Sequence, residues 1–473
     1  MHMLEGIKKI HFIGVAGVAM SAIAIELKDQ GFIVTGSDDE AYDPVKTIVE
    51  KRGILKKSGY DATFITDDID LVVLGRHAFL DNPEYVEAKK KNIKIVSFPE
   101  LLEDILKDYT VICVVGTYAK TTITAIITWI LETAGEQPSY LIGGIPKNLD
   151  KSFRITKSKY FVIEGDEYPC SDADQKPKFM YYHPDIVVLT SAELDHINVY
   201  PTDKEYQEAY VHLFQSLKSD AHVIVSDHNK ELSVVLTHAE KTGLTYGLQP
   251  SSAISARHII YNPLTTFDVL YEGKSNHYAA FLYGEHNVEN MLAGILVAKT
   301  LGIPDSAIEK ALRTFRGTQR RQEIVYKSPT LIVIDDLAHQ PSKVRETVRA
   351  VKQKFPHHHL IALFEPYTGS SRNKRYVARY MDSFNDADEV IIYRVQPSRL
   401  LTKEQLATPQ DYARILKHPH VQCIETAEVV VTYLKRHGSI PTAVLFMSSS
   451  NFEGALQKYT EQLPHEHHVQ NRR

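Results

Sequence analysis

The chain has 473 residues, 54 Lys and Arg against 59 Asp and Glu for a net charge of −5, and 43% hydrophobic residues. That is the composition of an ordinary globular enzyme with room for about three domains of roughly 150 residues, and it excludes disordered, collagenous and fibrous classes. No long run of one charge sign offers a nucleic-acid footprint, and Cys113, Cys170 and Cys423 match no zinc or redox spacing, which suits a reducing compartment.

In chain order, Lys8 and Lys9 precede an apolar run, Ile10 to Ile25, with the outline of a signal peptide. Gly14 and Gly17 interrupt it, Glu26-Leu27-Lys28-Asp29 continues it, and Phe32-Ile33-Val34-Thr35 follows as a strand, so folded structure is expected. No stretch approaches the ~18 apolar residues of a membrane span; the expected location is the cytoplasm, with no membrane partner. Residues 8–14 read as a strand, 18–30 as a helix and 32–36 as a second strand, with Val72-Val73-Leu74 and Ile93 to Val96 continuing one Rossmann-like unit. After the helix around Leu101 to Lys107 a domain boundary is placed near 108. The strand Thr110 to Val115 then enters a glycine turn and a long helix beginning near Lys120, and strands recur at Tyr160 to Ile163, Ile186 to Thr190 and Val223 to Ser226. The helix containing Val288 to Lys299 precedes a basic hinge, Arg316 to Arg321, and a third strand-rich unit starting at Leu331 puts a second boundary near 322. His357, His358 and His359 read as a loop, and the tail from Pro464, with His465, His467 and His468, as a solvated terminus. The alternation predicts an α/β protein of three domains, 1–108, 109–321 and 322–473: Rossmann-like, P-loop-like with a central parallel sheet, and Rossmann-like again. The oligomeric state is not legible.

Gly116-Thr117-Tyr118-Ala119-Lys120-Thr121-Thr122 sits at a strand-to-helix turn, where free N–H groups and the helix dipole favour an anion. Lys120 there can reach terminal phosphates and the Thr121 hydroxyl can ligate Mg²⁺. The alternative is a plain helix start, and Ala119 stands where a P-loop has glycine, so its Cβ restricts the backbone or narrows the cradle. Gly14-Val15-Ala16-Gly17-Val18-Ala19-Met20 is only G-x-x-G, which close helix packing explains almost as well, while Asp38 in Gly36-Ser37-Asp38 suits a ribose hydroxyl. Glu164-Gly165-Asp166-Glu167-Tyr168 and Glu193-Leu194-Asp195-His196 both follow strands, at the sheet edge where ligands bind. Glu164 and His196 converging there are candidates to hold a second Mg²⁺ on a γ-phosphate; ordinary acidic turns are the alternative.

Together these residues resemble the Mur ligases, ATP-dependent amide-forming enzymes of peptidoglycan synthesis. Ile10-His11-Phe12-Ile13-Gly14 with Gly17, Met20 and Gly36-Ser37-Asp38 is similar to the uridine-nucleotide domain of the UDP-N-acetylmuramate branch. The phosphate loop resembles the family's G-T-H-G-K-T-T, and Gly284-Glu285-His286-Asn287-Val288-Glu289-Asn290 resembles G-x-H-N-x-x-N, whose His and Asn approach adenine. Arg320-Arg321 and Asp335-Asp336-Leu337-Ala338-His339-Gln340-Pro341 resemble the start of the C-terminal domain, where an Arg and an Asp contact ATP. The resemblance implies Gly116 to Thr122, His286, Asn287, Asn290, Arg321 and Asp336 around ATP. It further implies Thr121, Glu164 and His196 around Mg²⁺, Lys120 with Glu164 and His196 in catalysis, and Gly14, Gly17, Met20, Ser37, Asp38 and His339 toward substrate. Ile142-Gly143-Gly144-Ile145-Pro146, Phe364-Glu365-Pro366 and Phe446-Met447-Ser448 point to the recycling branch, which adds L-alanyl-γ-D-glutamyl-meso-diaminopimelate to UDP-N-acetylmuramate.

The departures fall on functional loops: Tyr118 and Ala119 for the family's His and Gly, His339-Gln340-Pro341 for H-H-P, and Tyr367 where the recycling branch reads Arg. They leave open a ligase with another acceptor, L-alanine included, or a nucleotide- or muropeptide-binding relative without turnover.

Overall fold

The computed structural model describes residues 2–39, 41, 45–55, 58–75, 81–171, 174–228, 230–398, 401–437 and 440–469. The first unit is a parallel sheet of β1 (Lys9–Ile13), β2 (Ile33–Ser37), β3 (Leu71–Leu74) and β4 (Lys94–Ser97) in the order β2-β1-β3-β4. Ile10, Phe12 and Ile13 are all fully buried, so β1 reads as a continuous apolar run because helices cover both faces of a parallel sheet. The next helix, Phe98–Leu106, starts on a Ser97/Glu100 capping box with Pro99 in its first turn and buries Leu101, Leu102 and Ile105.

The central sheet has ten strands, β5 (Thr110–Val115), β6 (Ser139–Leu141), β7 (Phe153–Arg154), β8 (Tyr160–Glu164), β9 (Ile186–Leu189), β10 (His222–Ser226), β11 (Leu244–Gly247), β12 (Ile254–Ile260), β13 (Thr265–Tyr271) and β14 (Lys274–Ala280). Their order is β14-β13-β12-β11-β10-β9-β5-β8-β6-β7, so the phosphate-loop strand β5 lies between the two strands that lead into the acidic segments. Strands β12 to β14 form an antiparallel meander, whereas alternation along the chain suggests parallel strands alone. The signal for it is local: Glu272 and Gly273 both have positive φ (49° and 74°) and make a two-residue hairpin turn between Tyr271 and Lys274.

The third sheet joins β15 (Glu323–Lys327), β16 (Leu331–Asp336), β17 (His359–Phe364), β18 (Glu389–Tyr393), β19 (Val421–Ile424) and β20 (Thr442–Met447) in the order β15-β16-β20-β17-β18-β19, with only β15 antiparallel. His359 therefore opens a strand and does not belong to a histidine loop. The tail also differs from the solvated terminus expected of it: Val469 N–H donates to Val325 O at 3.2 Å, and the His467 and His468 rings pack edge-on against Tyr326. Tyr326, 3% exposed, is an apolar surface that the tail rings cover. Among the described residues no helix is long and apolar enough to cross a membrane.

Candidate active site

The loop after β5 is bound tightly to the end of β9. A Cβ on Gly116 (φ 128°) would lie 2.2 Å from Thr190 Oγ1, so only glycine fits there. Thr117 N–H donates to Ser191 Oγ (3.0 Å), Tyr118 N–H to the same oxygen (3.3 Å), and the Thr117 hydroxyl to Glu193 O (2.7 Å). Those two N–H groups are thus turned to the protein. Ala119 caps the helix Lys120–Thr133 in the left-handed region (φ 65°, ψ −10°), which explains why a phosphate loop prefers glycine there: a Cβ costs ~1–2 kcal/mol. No side chain caps this helix, and its first-turn N–H groups, from Lys120 through Thr122, have no intrahelical acceptor and remain available to an anion.

Lys120 Nζ lies 2.7 Å from Glu167 Oε2 and 2.5 Å from Gly116 O. Glu167 is 1% exposed and also lies 3.2 Å from His196 Nε2, so one buried carboxylate serves two cationic groups. Burial works against the Lys120 charge, but Glu167 and Glu164 outweigh it and hold its pKa above the usual lysine value. Burial likewise opposes the His196 imidazolium, yet Asp195 and Glu167 raise its pKa to about 9. Glu164 and His196, expected together around Mg²⁺, have different hydrogen-bond partners here. Glu164 accepts from Thr121 Oγ1 (3.0 Å) and from Gly143 N–H (2.8 Å), while His196 is a charged donor to Glu167. Thr121 Oγ1 and Glu164 are hard oxygen donors side by side at the loop, the ligand type Mg²⁺ takes alongside phosphate oxygens and water. Among the described residues, no cluster of three or more His, Cys, Asp or Glu is arranged to hold a metal.

A cleft between the central and C-terminal units adjoins this loop. It has two lobes, one lined by Ala119 and Asn290 and the other by Thr122, Arg321 and Asp336, with His286 and Lys343 lining both. Asn287 Nδ2 donates to Tyr283 O (2.9 Å) and Gln322 Oε1 (2.8 Å), and Asn290 Nδ2 to Asn287 Oδ1 (3.1 Å), so Asn287 positions its neighbours. Asp336 is fully buried and its oxygens accept from Gln322 N–H (2.7 Å) and Ala338 N–H (2.6 Å). It shapes the wall through the backbone. His286 Nδ1 and Thr318 Oγ1, both lining this cleft, are buried without a hydrogen-bond partner among the described residues.

Asp195 latches the units together: it accepts from Ser370 Oγ (2.7 Å) and from Gln340 Nε2, and it lies 4.0 Å from His339 Nε2. His339 is held by Leu337 O through Nδ1 (2.7 Å). Neither Glu167 nor Asp195 stood out individually in the sequence; their only signal was membership of the acidic segments 164–168 and 193–196 at the sheet edge.

The N-terminal unit contributes a cavity of about 480 Å³ lined by Gly14, Gly17, Met20 and Asp38 and reaching Asp166 and Lys178 of the central unit. Asp38 Oδ2 accepts from Ala16 N–H (2.7 Å) and orders that loop. Ser37 does not line it: its fully buried hydroxyl donates to Glu84 Oε2 at 2.6 Å. Lys178 Nζ pairs with Asp166 Oδ2 at 2.5 Å, one residue before Glu167, so the cavity and the phosphate loop are joined through a single dipeptide.

Three family models match in sequence: "Mur ligase family, catalytic domain" at residues 9–110, "Mur ligase middle domain" at 114–298 and "Mur ligase, glutamate ligase domain" at 320–450. The UDP-N-acetylmuramate–L-alanine ligase of Caldanaerobacter subterraneus is 31% identical over 97% of this chain and 98% of its own. The UDP-N-acetylmuramate–L-alanyl-γ-D-glutamyl-meso-2,6-diaminoheptandioate ligase of Escherichia coli is 30% identical over 96% and 98%. Among solved structures, the Thermotoga maritima UDP-N-acetylmuramate–alanine ligase superimposes with a TM-score of 0.76 at 24% identity (96% of this chain, 98% of that one). A murein peptide ligase of Psychrobacter arcticus gives 0.69 at 26% (96% and 98%). A three-unit α/β fold with these matches defines an ATP-dependent ligase that forms amide bonds. The chain belongs to the Mur ligase family.

Proposed function

We propose that this protein joins the lactyl carboxylate of UDP-N-acetylmuramate to the amine of L-alanyl-γ-D-glutamyl-meso-diaminopimelate, in the cytoplasm, as a step of peptidoglycan recycling. In this reading residues 1–108 hold the UDP-sugar, 109–321 the ATP and 322–473 the acceptor. The observation that carries it is the junction at Asp166-Glu167, where the N-terminal cavity ends and the Lys120 counter-ion begins. A carboxylate delivered from that cavity meets the γ-phosphate beside Lys120, forms an acyl phosphate with release of ADP, and the acceptor amine displaces phosphate through a tetrahedral intermediate.

Lys120 stabilises the transferring phosphoryl group by charge and position, since phosphoryl transfer needs little else from a protein. It must first exchange Glu167 for phosphate, which makes Glu167 a holding partner in the free enzyme. The His196 imidazolium, kept charged by Asp195 and Glu167, adds a second donor at the same place. Thr121 and Glu164 would hold Mg²⁺, which supplies neutralisation of the phosphate charge. The Asp195 latch, with Gln340 and Ser370, brings the C-terminal unit over the loop and excludes water from the acyl phosphate. The tripeptide acceptor is supported by the segments at 142–146 and 364–366 and by the likeness to murein peptide ligases.

The test is phosphate release from ATP with Mg²⁺ and UDP-N-acetylmuramate, comparing the tripeptide, L-alanine and no acceptor, with products identified by mass spectrometry. Tripeptide-dependent release with the ligated product is expected. Release and product with L-alanine alone would reassign the enzyme to the branch of the Caldanaerobacter relative.

A further inference from the structure

We propose that Lys343, carried by the C-terminal unit, binds the phosphate chain of the nucleotide across the cleft. The inference rests on the ATP reading above. Lys343 is the third residue of the helix Pro341–Lys354, where the helix dipole disfavours a cation. It lines both lobes of the cleft, facing Ala119 in one and Thr122 in the other, at the open N-terminus of the phosphate-loop helix. Among the described residues it makes no hydrogen bond and no ion pair. The two carboxylates nearest in charge terms are already engaged: Asp336 accepts two backbone N–H groups, and Glu346 lies 3.5 Å from Arg345. Burial therefore holds the Lys343 pKa below the ordinary lysine value in spite of Asp336 and Glu346.

Arg321, on the same wall, likewise makes no hydrogen bond or ion pair among the described residues. Two cations without a hydrogen-bonded or ion-paired carboxylate among the described residues repel in one cleft, and Asp336 and Glu346 offset the Lys343 charge only in part. The orphaned Thr318 hydroxyl, 1% exposed, opens on the same lobe. An anion with several acceptor oxygens satisfies all three groups at once, and the first-turn N–H groups beside Ala119 supply its other wall. Because Thr117 and Tyr118 give their N–H groups to Ser191, part of the phosphate grip passes from the loop to the opposite unit.

The experiment is isothermal titration of the full chain with ATP, ADP and adenosine, for the wild type, Lys343→Met, Lys343→Gln and Lys343→Arg. Lys343→Met and Lys343→Gln are expected to weaken ATP and ADP at least tenfold while adenosine binding stays within twofold, and Lys343→Arg is expected to recover most of the loss. Without ligand, the Met variant should melt no lower than the wild type, because it removes an unpaired half-buried charge, and should lose most of the ATP-induced rise. ATP binding within twofold of wild type in both neutral variants, or an equal loss of adenosine, overturns the proposal. A wild type that binds none of the three nucleotides overturns the ATP reading itself, a separate result.

Discussion

Glu167→Gln is the substitution whose consequences follow most directly from the structure. Glu167 is 1% exposed and faces Lys120 at 2.7 Å and His196 at 3.2 Å. Removing one partner of a buried pair costs ~3–5 kcal/mol; glutamine keeps the shape and one acceptor oxygen, so roughly 2–4 kcal/mol is expected here. For a unit of about 200 residues each kcal/mol moves the melting temperature by ~2–4 °C, giving a fall on the order of 4–16 °C. The same substitution frees Lys120 from the carboxylate that competes with phosphate. ATP should therefore raise the melting temperature of the variant by more than it raises that of the wild type, since part of the lost pairing energy returns with the ligand. Turnover should fall, because Lys120 and His196 lose the group that orients both. Differential scanning fluorimetry with and without ATP and Mg²⁺ reads both effects. An unchanged melting temperature without ligand, or an ATP-induced rise no larger than that of wild type, would refute the view of Glu167 as the counter-ion that ATP displaces.

Ala119→Gly removes a Cβ from φ 65° at a gain of ~1–2 kcal/mol, offset by about 0.4–1 kcal/mol of added unfolded-state entropy; a variant that melts lower, or a raised KM for ATP, would contradict this. His196, with its pKa raised from 6.5 to about 9, contributes stability that is fully present below pH 6.5 and is lost as pH rises through 9. The difference in melting temperature between wild type and His196→Gln should shrink across that window, and a flat difference would show that the imidazolium is not the stabilising form. Arg372 stacks 5.1 Å from the Tyr367 ring centre in the loop whose Ser370 holds Asp195, and it pairs with no carboxylate among the described residues. Arg372→Ala should raise KM for the acceptor about tenfold with KM for ATP unchanged; equal changes in both would remove the loop from acceptor binding.

Much of the fold was legible because its signals are local. Buried runs such as Val111 to Val115 and Ile186 to Leu189 announce parallel strands, and the Gly116 to Thr122 segment announces a strand-to-helix turn. The antiparallel meander was less so, since its one strong cue is the Glu272-Gly273 turn, and the docked tail depends on a distant aromatic, Tyr326. In the site, the identities of Lys120, Thr121 and Glu164 follow from motif spacing, but partner choice does not. Glu164 ends β8 and Glu167 follows three residues later in irregular backbone, and the sequence contains no period that tells which of them faces Lys120.

The sequence by itself determined the alternation of strands and helices, the three sheet-forming units and the chemistry gathered at the strand ends, because each depends on periodicity and spacing within a few tens of residues. Tertiary structure alone decided which groups meet. Gln340 reaches Asp195 across 145 positions, Tyr376 reaches Leu194 across 182, and Lys343 and Arg321 come to share one cleft. Such contacts arise only when separately folded sheets dock, and the balance between burial and pairing of charge at that junction is set by the whole assembly of side chains around it.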